Sequence, residues 1–247
     1  MDILKLGKNL FSSDKGHPFT SAVIAAGGSS SRMQGENKLF LRICGVPVIA
    51  HTLEAFQNCA LIDEIIVSAR EEDIIEIADM CKEYDIKKAV KIVRGGKNRT
   101  ESVMNGIYEV SGLSKFVAIH DGARPLVTED VIKGAITLAY KTGAAAPCVP
   151  VKDTIKVLDA DVITATPDRS KLFSVQTPQV FDIELIKGAL TKAISEGAEL
   201  TDDCAAAERI GMVVHASPGD HANIKITTPE DIIVANALLI SRGEGKL

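Results

Sequence analysis

The stretch AVIAAGGSSSRM, residues 22–33, carries the strongest fold signal in the sequence. Five apolar residues, 22–26, are typical of a buried strand, and two glycines, three serines and Arg32 follow directly. Glycine permits a ligand to approach the backbone closely, and a Gly/Ser turn after a strand can present several N–H groups to a phosphate. The stretch therefore predicts a first strand that ends in an anion-binding loop.

Two familiar phosphate-binding patterns do not match this loop. A P-loop ends in GK[ST], whereas this loop ends in SSSRM. A dinucleotide fingerprint needs GxGxxG, and the spacing GGSSSR does not fit it, which disfavours an NAD-dependent oxidoreductase. Two cations, Arg32 and Lys38, follow the turn and could neutralise a triphosphate. On this stretch alone, a solvated Gly/Ser loop without a ligand stays open as the alternative.

The composition limits the class of protein. The 247 residues are 46% hydrophobic and 25% charged, as in ordinary globular proteins. A formal net charge of −5 argues against a general nucleic-acid binder. No apolar run approaches the roughly 18 residues that span a bilayer, and the first 20 residues, MDILKLGKNLFSSDKGHPFT, lack a secretory signal. We expect a cytoplasmic protein with no membrane and no nucleic-acid partner, and five scattered cysteines that are reduced.

Strand-like runs alternate with helical patterns along the chain, which predicts an α/β fold with a mostly parallel central sheet flanked by helices. The predicted strands are 21–26, 63–69, 88–93, 115–120, 144–151, 212–216 and 223–227. The predicted helices are 47–57, 71–84, 128–141, 182–197 and 201–210, with others beginning near 100 and 228. Residues 153–181 break this rhythm with β-like pieces and predict a projecting β-arm. We therefore expect a poorly ordered extension, 1–20, followed by a single domain, 21–247.

Seven short motifs occur in register along the chain: AAGGSSSRM…K, GGKNRTESVMNG, HDGARP, DTIK, QTPQVF, TDD and NIKITTPED. Together, from about Ser21 to the C-terminal helix, they resemble the 2-C-methyl-D-erythritol 4-phosphate cytidylyltransferase family. The resemblance implies a Rossmann-like nucleotidyltransferase fold and a homodimer in which the arm of one subunit reaches the active site of the other.

The resemblance also implies a reaction. CMP is transferred from CTP to methylerythritol phosphate, with Mg²⁺, and pyrophosphate is released, as a step of non-mevalonate isoprenoid biosynthesis. A related enzyme that acts on ribitol 5-phosphate shares several of the motifs and stays open as an alternative. A nucleotide-binding module that has lost turnover is a second alternative, of a different class.

The chemistry implied by this resemblance joins two anions. The attacking phosphate monoester is already a nucleophile, so catalysis reduces to alignment and charge neutralisation at the α-phosphate. By resemblance, Arg32, Lys38 and Lys225 are the catalytic cations. Asp121 follows a predicted strand, and sheet ligands bind beyond the carboxyl ends of strands, so we expect it to hold Mg²⁺ and to border the substrate. His120 is expected to be a packed residue, because the reaction needs no imidazole.

The resemblance assigns the remaining site residues to the two substrates. The nucleotide is expected on the first loop and on the loop after the third strand, at Ala25, Ala26, Gly27, Gly28, Gly96, Arg99 and Ser102. The acceptor is expected at Arg124, which could hold Asp121 or a phosphate, and at Thr154, Arg169, Thr177 and Thr201. Among these, Arg169 and Thr177 are predicted to lie on the arm and to serve the neighbouring subunit.

Overall fold

An eight-stranded sheet with helices on both faces organises the chain in the computed structural model, which describes residues 16–28 and 37–244. The strands are β1 (Thr20–Ala26), β2 (Arg42–Ile43), β3 (Val46–Pro47), β4 (Glu64–Ala69), β5 (Ala89–Arg94), β6 (Phe116–Asp121), β7 (Ala144–Pro150), β8 (Val157–Asp159), β9 (Val162–Ala165), β10 (Phe173–Val175), β11 (Gln179–Asp182) and β12 (His215–Pro218). The helices are α1 (Val48–Asn58), α2 (Ile74–Glu83), α3 (Arg99–Tyr108), α4 (Glu129–Thr142), α5 (Ile183–Ser195), α6 (Asp203–Arg209) and α7 (Pro229–Ser241). The predicted α/β class is confirmed.

Strand β1 lies in the middle of this sheet. The strand order is β10-β7-β11-β6-β1-β4-β5, and β12 pairs with β7. β1 runs parallel to β4 on one edge and to β6 on the other, and nearly all of its residues are buried. A strand covered on both faces needs a continuous apolar run, as residues 22–26 provide. The loop after Ala26 therefore lies at the carboxyl end of the central strand, where ligands bind in such sheets.

The two faces of the sheet support separate hydrophobic layers. Ile24 of β1 belongs to a layer that includes Phe56 of α1 and Ile132 of α4. Its neighbour Val23 belongs to the opposite layer, with Ile107 of α3 and further residues of α5. Because side chains alternate along a strand, a single apolar strand supplies both layers.

Local sequence signals mark the helix ends. Thr128 accepts a hydrogen bond from Val131 N at the start of α4, and Gly143 ends that helix at φ 87°, in the left-handed region that favours glycine. Asp182 accepts from two backbone N–H groups at the start of α5. At the start of α7, the Asp231 carboxylate accepts from Thr228 N at 2.8 Å. These caps fix where the helices begin without help from distant residues.

The arm is shorter than predicted. Within residues 153–181, only the hairpin β8–β9 pairs apart from the central sheet, whereas β10 pairs antiparallel with β7, and β11 lies between β7 and β6. Residues 173–181 of the predicted arm therefore belong to the sheet. The local pattern could not reveal this, because short alternating strands look alike whether they pair with a hairpin or with a distant strand.

Three smaller boundaries also differ from the prediction. The segment 223–227 is not a strand, because it pairs with no strand of the described sheet; Ile226 N donates to Ala123 O in the loop after β6. Strand β12 begins at His215 rather than near residue 212. Helix α6 begins at Asp203 rather than at residue 201, and Asp202 caps it by accepting from Ala205 N.

The N-terminal boundary lies slightly earlier than residue 21. Thr20 is fully buried in β1, and the carbonyl of Phe19 accepts hydrogen bonds from Lys115 N and Phe116 N. The predicted extension otherwise falls largely outside the described residues. Across residues 16–28 and 37–244, none of the helices is long and apolar enough to cross a bilayer.

Gly106 tests the packing of α3 on β1. A Cβ added at Gly106 would lie 2.5 Å from Cγ1 of the buried Val23, whereas a Cβ added at Gly134 of α4 would meet nothing within 4 Å. We expect Gly106→Ala to lower the free energy of unfolding by about 1–3 kcal/mol, because the core is overpacked. Gly134→Ala, the matched control, should raise it by up to about 1 kcal/mol through helix propensity. Denaturant unfolding measures both, and equal effects of the two variants would contradict the packing argument.

Candidate functional site

A cavity of about 410 Å³ opens at the carboxyl end of β1 and β6. The described residues that line it come from the first loop, the turn carrying Lys38, the loop before α3, the end of β6 and the segment before α7. They are Ala25, Ala26, Gly27, Gly28, Lys38, Leu39, Gly96, Lys97, Asn98, Arg99, Ser102, Asp121, Ala123, Lys225 and Thr227. The structure thus brings together every predicted nucleotide-binding residue, Asp121 and two of the predicted cations. The third predicted cation, Arg32, lies outside the described residues.

The loop before α3 folds closely against its own helix. Gly95 N donates to Ala69 O at 2.7 Å, and Gly96 N donates to Ser102 Oγ at 3.0 Å. Ser102 Oγ in turn donates to Asn98 O at 2.8 Å. A Cβ added at Gly96 would overlap Glu101, so only glycine fits there. The Ser102 hydroxyl thus holds the backbone at Gly96 and Asn98, which forms one wall of the cavity.

The buried carboxylate of Asp121 is the centre of charge in the cavity. It lies 2.9 Å from Lys225 Nζ, 3.2 Å from Arg99 Nε and 3.5 Å from Arg124 Nε. Burial by itself would raise the pKa of Asp121, but the charges of Arg99, Lys225 and Arg124 hold it well below its usual range. The carboxylate is therefore ionised at neutral pH and holds three cations that would otherwise repel one another.

Arg99 bridges two acids. Its Nε contacts Asp121, and its Nη2 donates to Asp203 Oδ2 at 2.8 Å. Burial would lower the pKa of Arg99, but Asp203 and then Asp121 raise it above its usual range, so the guanidinium stays charged. The fully buried Asp203 was not among the predicted site residues, although it is the last residue of the motif TDD that begins at Thr201, and two adjacent acids at a helix start were a readable signal.

A polar network behind Asp121 fixes the end of β6. His120 Nε2 lies 3.3 Å from Arg124 O, so this nitrogen carries the proton and Nδ1 is an acceptor. Thr177 Oγ1 donates to that Nδ1 at 2.9 Å and accepts from Asp121 N at 3.2 Å. Burial lowers the pKa of His120 to about 3, which keeps the imidazole neutral. His120 is thus a packed residue, in contact with the ring of Phe56, as predicted.

Several predicted acceptor residues lie away from the cavity. Thr177 is buried between β10 and β11 rather than on the arm, because both strands join the sheet. Arg124 lies behind Asp121, where its Nη1 donates to Asn223 O at 2.7 Å. Thr154 and Arg169 are exposed on the arm, and Thr201 is exposed ahead of α6. Within a single chain, the described lining of the cavity therefore includes no arm residue.

The donors around the cavity suit Mg²⁺ only as a partner of phosphates. Within the described ranges, no group of three or more His, Cys, Asp or Glu side chains gathers to hold a metal. Asp121 offers one ionised carboxylate at the cavity wall. Mg²⁺ commonly takes one or two carboxylates and completes its shell with water and phosphate oxygens, so this donor set fits a nucleotide-bound ion.

The buried His120 predicts a pH dependence of stability. Folding lowers the pKa of His120 from an ordinary 6.5 to about 3. At pH values between about 3 and 6.5, His120 is therefore protonated in the unfolded chain but neutral in the folded chain. The contribution of neutral His120 to the free energy of unfolding is therefore fully present well above pH 6.5 and decreases as the pH falls below it. Between pH 7 and pH 5 this loss is about 2 kcal/mol, and His120→Asn should lack it. The exposed His221→Asn is the control. Equal slopes of unfolding free energy in wild type and His120→Asn would contradict this.

Comparison with known proteins identifies the family of this chain. The family model IspD, 2-C-methyl-D-erythritol 4-phosphate cytidylyltransferase, matches residues 20–241. A relative of that name from Caldanaerobacter subterraneus subsp. tengcongensis is 49% identical over 226 residues, covering 89% of this chain and 98% of the relative. A crystal structure titled 4-diphosphocytidyl-2C-methyl-D-erythritol synthase, from Anaerococcus prevotii, superposes with a TM-score of 0.81 at 34% identity, covering 90% of this chain and 96% of that one.

A second solved structure, of 2-C-methyl-D-erythritol 4-phosphate cytidylyltransferase from Thermus thermophilus, has a TM-score of 0.74 at 28% identity, over 89% of this chain and 98% of that one. The predicted Rossmann-like nucleotidyltransferase fold is confirmed by these neighbours. Because the family model spans nearly the whole described chain, this chain belongs to the 2-C-methyl-D-erythritol 4-phosphate cytidylyltransferase family.

Proposed function

We propose that the cavity around Asp121 is where this nucleotidyltransferase joins CTP to 2-C-methyl-D-erythritol 4-phosphate. A phosphate oxygen of the acceptor attacks the α-phosphorus of CTP, a new P–O bond forms, and the bond from that phosphorus to the bridging oxygen of the β-phosphate breaks. The products are 4-diphosphocytidyl-2-C-methyl-D-erythritol and pyrophosphate. The observation that carries the proposal is the convergence of Lys38, Arg99 and Lys225 on one glycine-lined cavity.

The cations supply the electrostatic part of this reaction. Two phosphates that repel each other must meet, and negative charge builds on the α-phosphate oxygens as pyrophosphate leaves. Preorganised positive groups in a confined site stabilise such charge more strongly than water does. Lys38 and Lys225 line the cavity, and with Arg32 they are proposed as the stabilising groups. Because Lys225 now contacts Asp121, nucleotide phosphates would share or replace that carboxylate as its partner.

The cytosine ring is proposed to lie on the loop at Gly95 and Gly96. Backbone groups of this loop can approach a flat base because neither residue carries a side chain, and Ser102 holds the loop in place. The phosphates would then extend toward the backbone of residues 25–28 and toward Lys38. Mg²⁺, when bound, would be held by Asp121 together with phosphate oxygens, and it would neutralise charge on the triphosphate.

The arm is proposed to complete the site across a homodimer. Its hairpin exposes four large apolar side chains, Val157, Leu158, Val162 and Ile163, each with 47–61% of its surface accessible. Such a surface on a projecting hairpin suits burial against a second copy. Arg169 and Thr154 would reach the acceptor of the partner subunit, where the forked guanidinium of Arg169 suits a phosphate.

The acceptor distinguishes this proposal from its nearest alternative. The matching family and relatives carry the methylerythritol name, so ribitol 5-phosphate is not favoured. Incubation with CTP, Mg²⁺ and each polyol phosphate in turn tests the choice, and a higher kcat/KM for ribitol 5-phosphate would refute it. The free state of all five cysteines agrees with the reducing cytoplasm that we propose as its location.

Removal of one cation tests the electrostatic role. We expect Lys225→Met to lower kcat by about 10²-fold or more, because a preorganised charge at the reacting phosphorus is lost. Arg32→Ala and Lys38→Ala should have effects of similar size. Lys133→Met, on the exposed surface of α4 where it pairs with Glu129, is the matched control and should be unchanged. Steady-state release of pyrophosphate measures all four, and near-normal turnover of Lys225→Met would refute its role.

Mixed dimers test the exchange of arms. Arg169→Ala should raise the KM for the acceptor and leave the affinity for CTP nearly intact. A heterodimer of Arg169→Ala and Lys225→Met, purified through two different tags, contains one intact site if the arm crosses to the partner. It should then recover about half of wild-type turnover at low acceptor concentration. If the heterodimer is no more active than the better single variant, the arm serves its own subunit.

A further inference from the structure

The turn that carries Lys38 is tied to the end of β4 by a group of three side chains, Asn37, Asp73 and Arg70, here called the Asn37 clamp. Asn37 Nδ2 donates to Asp73 Oδ2 at 3.0 Å. Arg70 directly follows β4 and donates to both oxygens of Asp73, with Nε at 2.8 Å and Nη2 at 3.0 Å. None of these three residues lines the cavity, so the proposed reaction gives them no role.

Within the clamp, the charge of the Asp73 carboxylate is balanced by the guanidinium of Arg70. Asp73 is only 5% exposed, and a buried carboxylate is stable only when it is paired and hydrogen-bonded. The bidentate contact with Arg70 meets that need. The bond from Asn37 is therefore an addition to an ion pair that is already complete, and its removal leaves Asp73 paired.

The other half of the Asn37 side chain shapes the turn itself. Its Oδ1 accepts from Leu39 N at 3.2 Å, and its carbonyl accepts from Phe40 N at 3.0 Å. An asparagine that bonds the backbone two residues on stabilises such a turn. Leu39 is 3% exposed and packs into the core. Lys38 therefore lies between a clamped residue and a buried one, which fixes its Cα at the cavity wall.

We infer that the Asn37 clamp positions Lys38 for catalysis. This inference rests on the proposed role of Lys38. A lysine side chain has a long flexible stem, so the place of its ammonium depends on how firmly its backbone is held. Displacement of a reacting group by about 1 Å can cost up to about 10²-fold in rate. Arg70 and Asp73 connect the end of β4 to Asn37, and Asn37 holds the turn that carries Lys38.

Asn37→Asp isolates the clamp bond from the turn. The new carboxylate keeps an oxygen for Leu39 N but loses the Nδ2 donor and faces the charge of Asp73. We expect kcat to fall about tenfold, with both KM values within about twofold, because only the placement of Lys38 changes. Asn37→Ala should give a loss of similar size. Asp79→Ala is the control, since this exposed acid of α2 pairs with Lys82 on the helix surface and its loss should leave kcat unchanged.

One further variant separates positioning from general stability. In a Lys38→Met background, Asn37→Asp should have no further effect on kcat, because the group that it positions is gone. Denaturant unfolding of each variant confirms that it is folded at the assay temperature.

The outcomes distinguish the clamp from the catalytic role. The inference is overturned if Asn37→Ala and Asn37→Asp keep kcat within twofold while Lys38→Met loses it. It is also overturned if the losses multiply in the double variant with Lys38→Met, since the clamp would then act elsewhere. Near-normal turnover of Lys38→Met would instead refute the proposed function of Lys38 itself, and the clamp inference with it.

Discussion

The ion cluster at Asp121 is the interaction on which the site depends. Lys225 and two arginines come from three separate parts of the chain, and their mutual repulsion is offset by one buried carboxylate. Because Asp121 is the last residue of β6, the sheet fixes the position of that carboxylate. The positive charges are thus gathered before any substrate arrives, which is the condition for electrostatic stabilisation without reorganisation.

The sheet supplies the space that this cluster needs. β1 and β6 run parallel and end side by side. Gly122 N donates to Ala25 O across the two strand ends at 2.9 Å, so the backbones stay together beyond the last paired residues. The loop at Gly95 is joined to β4 in the same way, through Ala69 O. The cavity is therefore bordered by backbone held by the sheet rather than by free loops.

A layer of buried polar groups holds the site residues from behind. Thr177 and His120 hold the backbone of Asp121, while Gln179 of β11 accepts from Asp203 N and Cys204 N at the start of α6. Asp203 in turn holds Arg99. In such networks each satisfied group restricts its neighbours, so the orientation of a charged side chain is passed through several residues. The Asn37 clamp is the equivalent support for Lys38 on the other side of the cavity.

The amino-acid sequence by itself determined the local structure and the inventory of the site. Apolar runs, helix caps and glycine turns depend on near neighbours, so β1 and the capped starts of α4, α5 and α7 were readable from the chain. The Gly/Ser loop after β1, with the cations Arg32 and Lys38, was also readable, whereas Gly96, Arg99 and Lys225 were assigned through the family resemblance of the motifs. Only the tertiary structure showed which strands residues 173–182 pair with and that Thr177 contacts the backbone of Asp121. It also showed that Asp203 binds Arg99 and that Asp73 binds Asn37 at the turn of Lys38. These are pairings between residues far apart in sequence, and local patterns carry no information about which distant partner a buried strand or acid will meet.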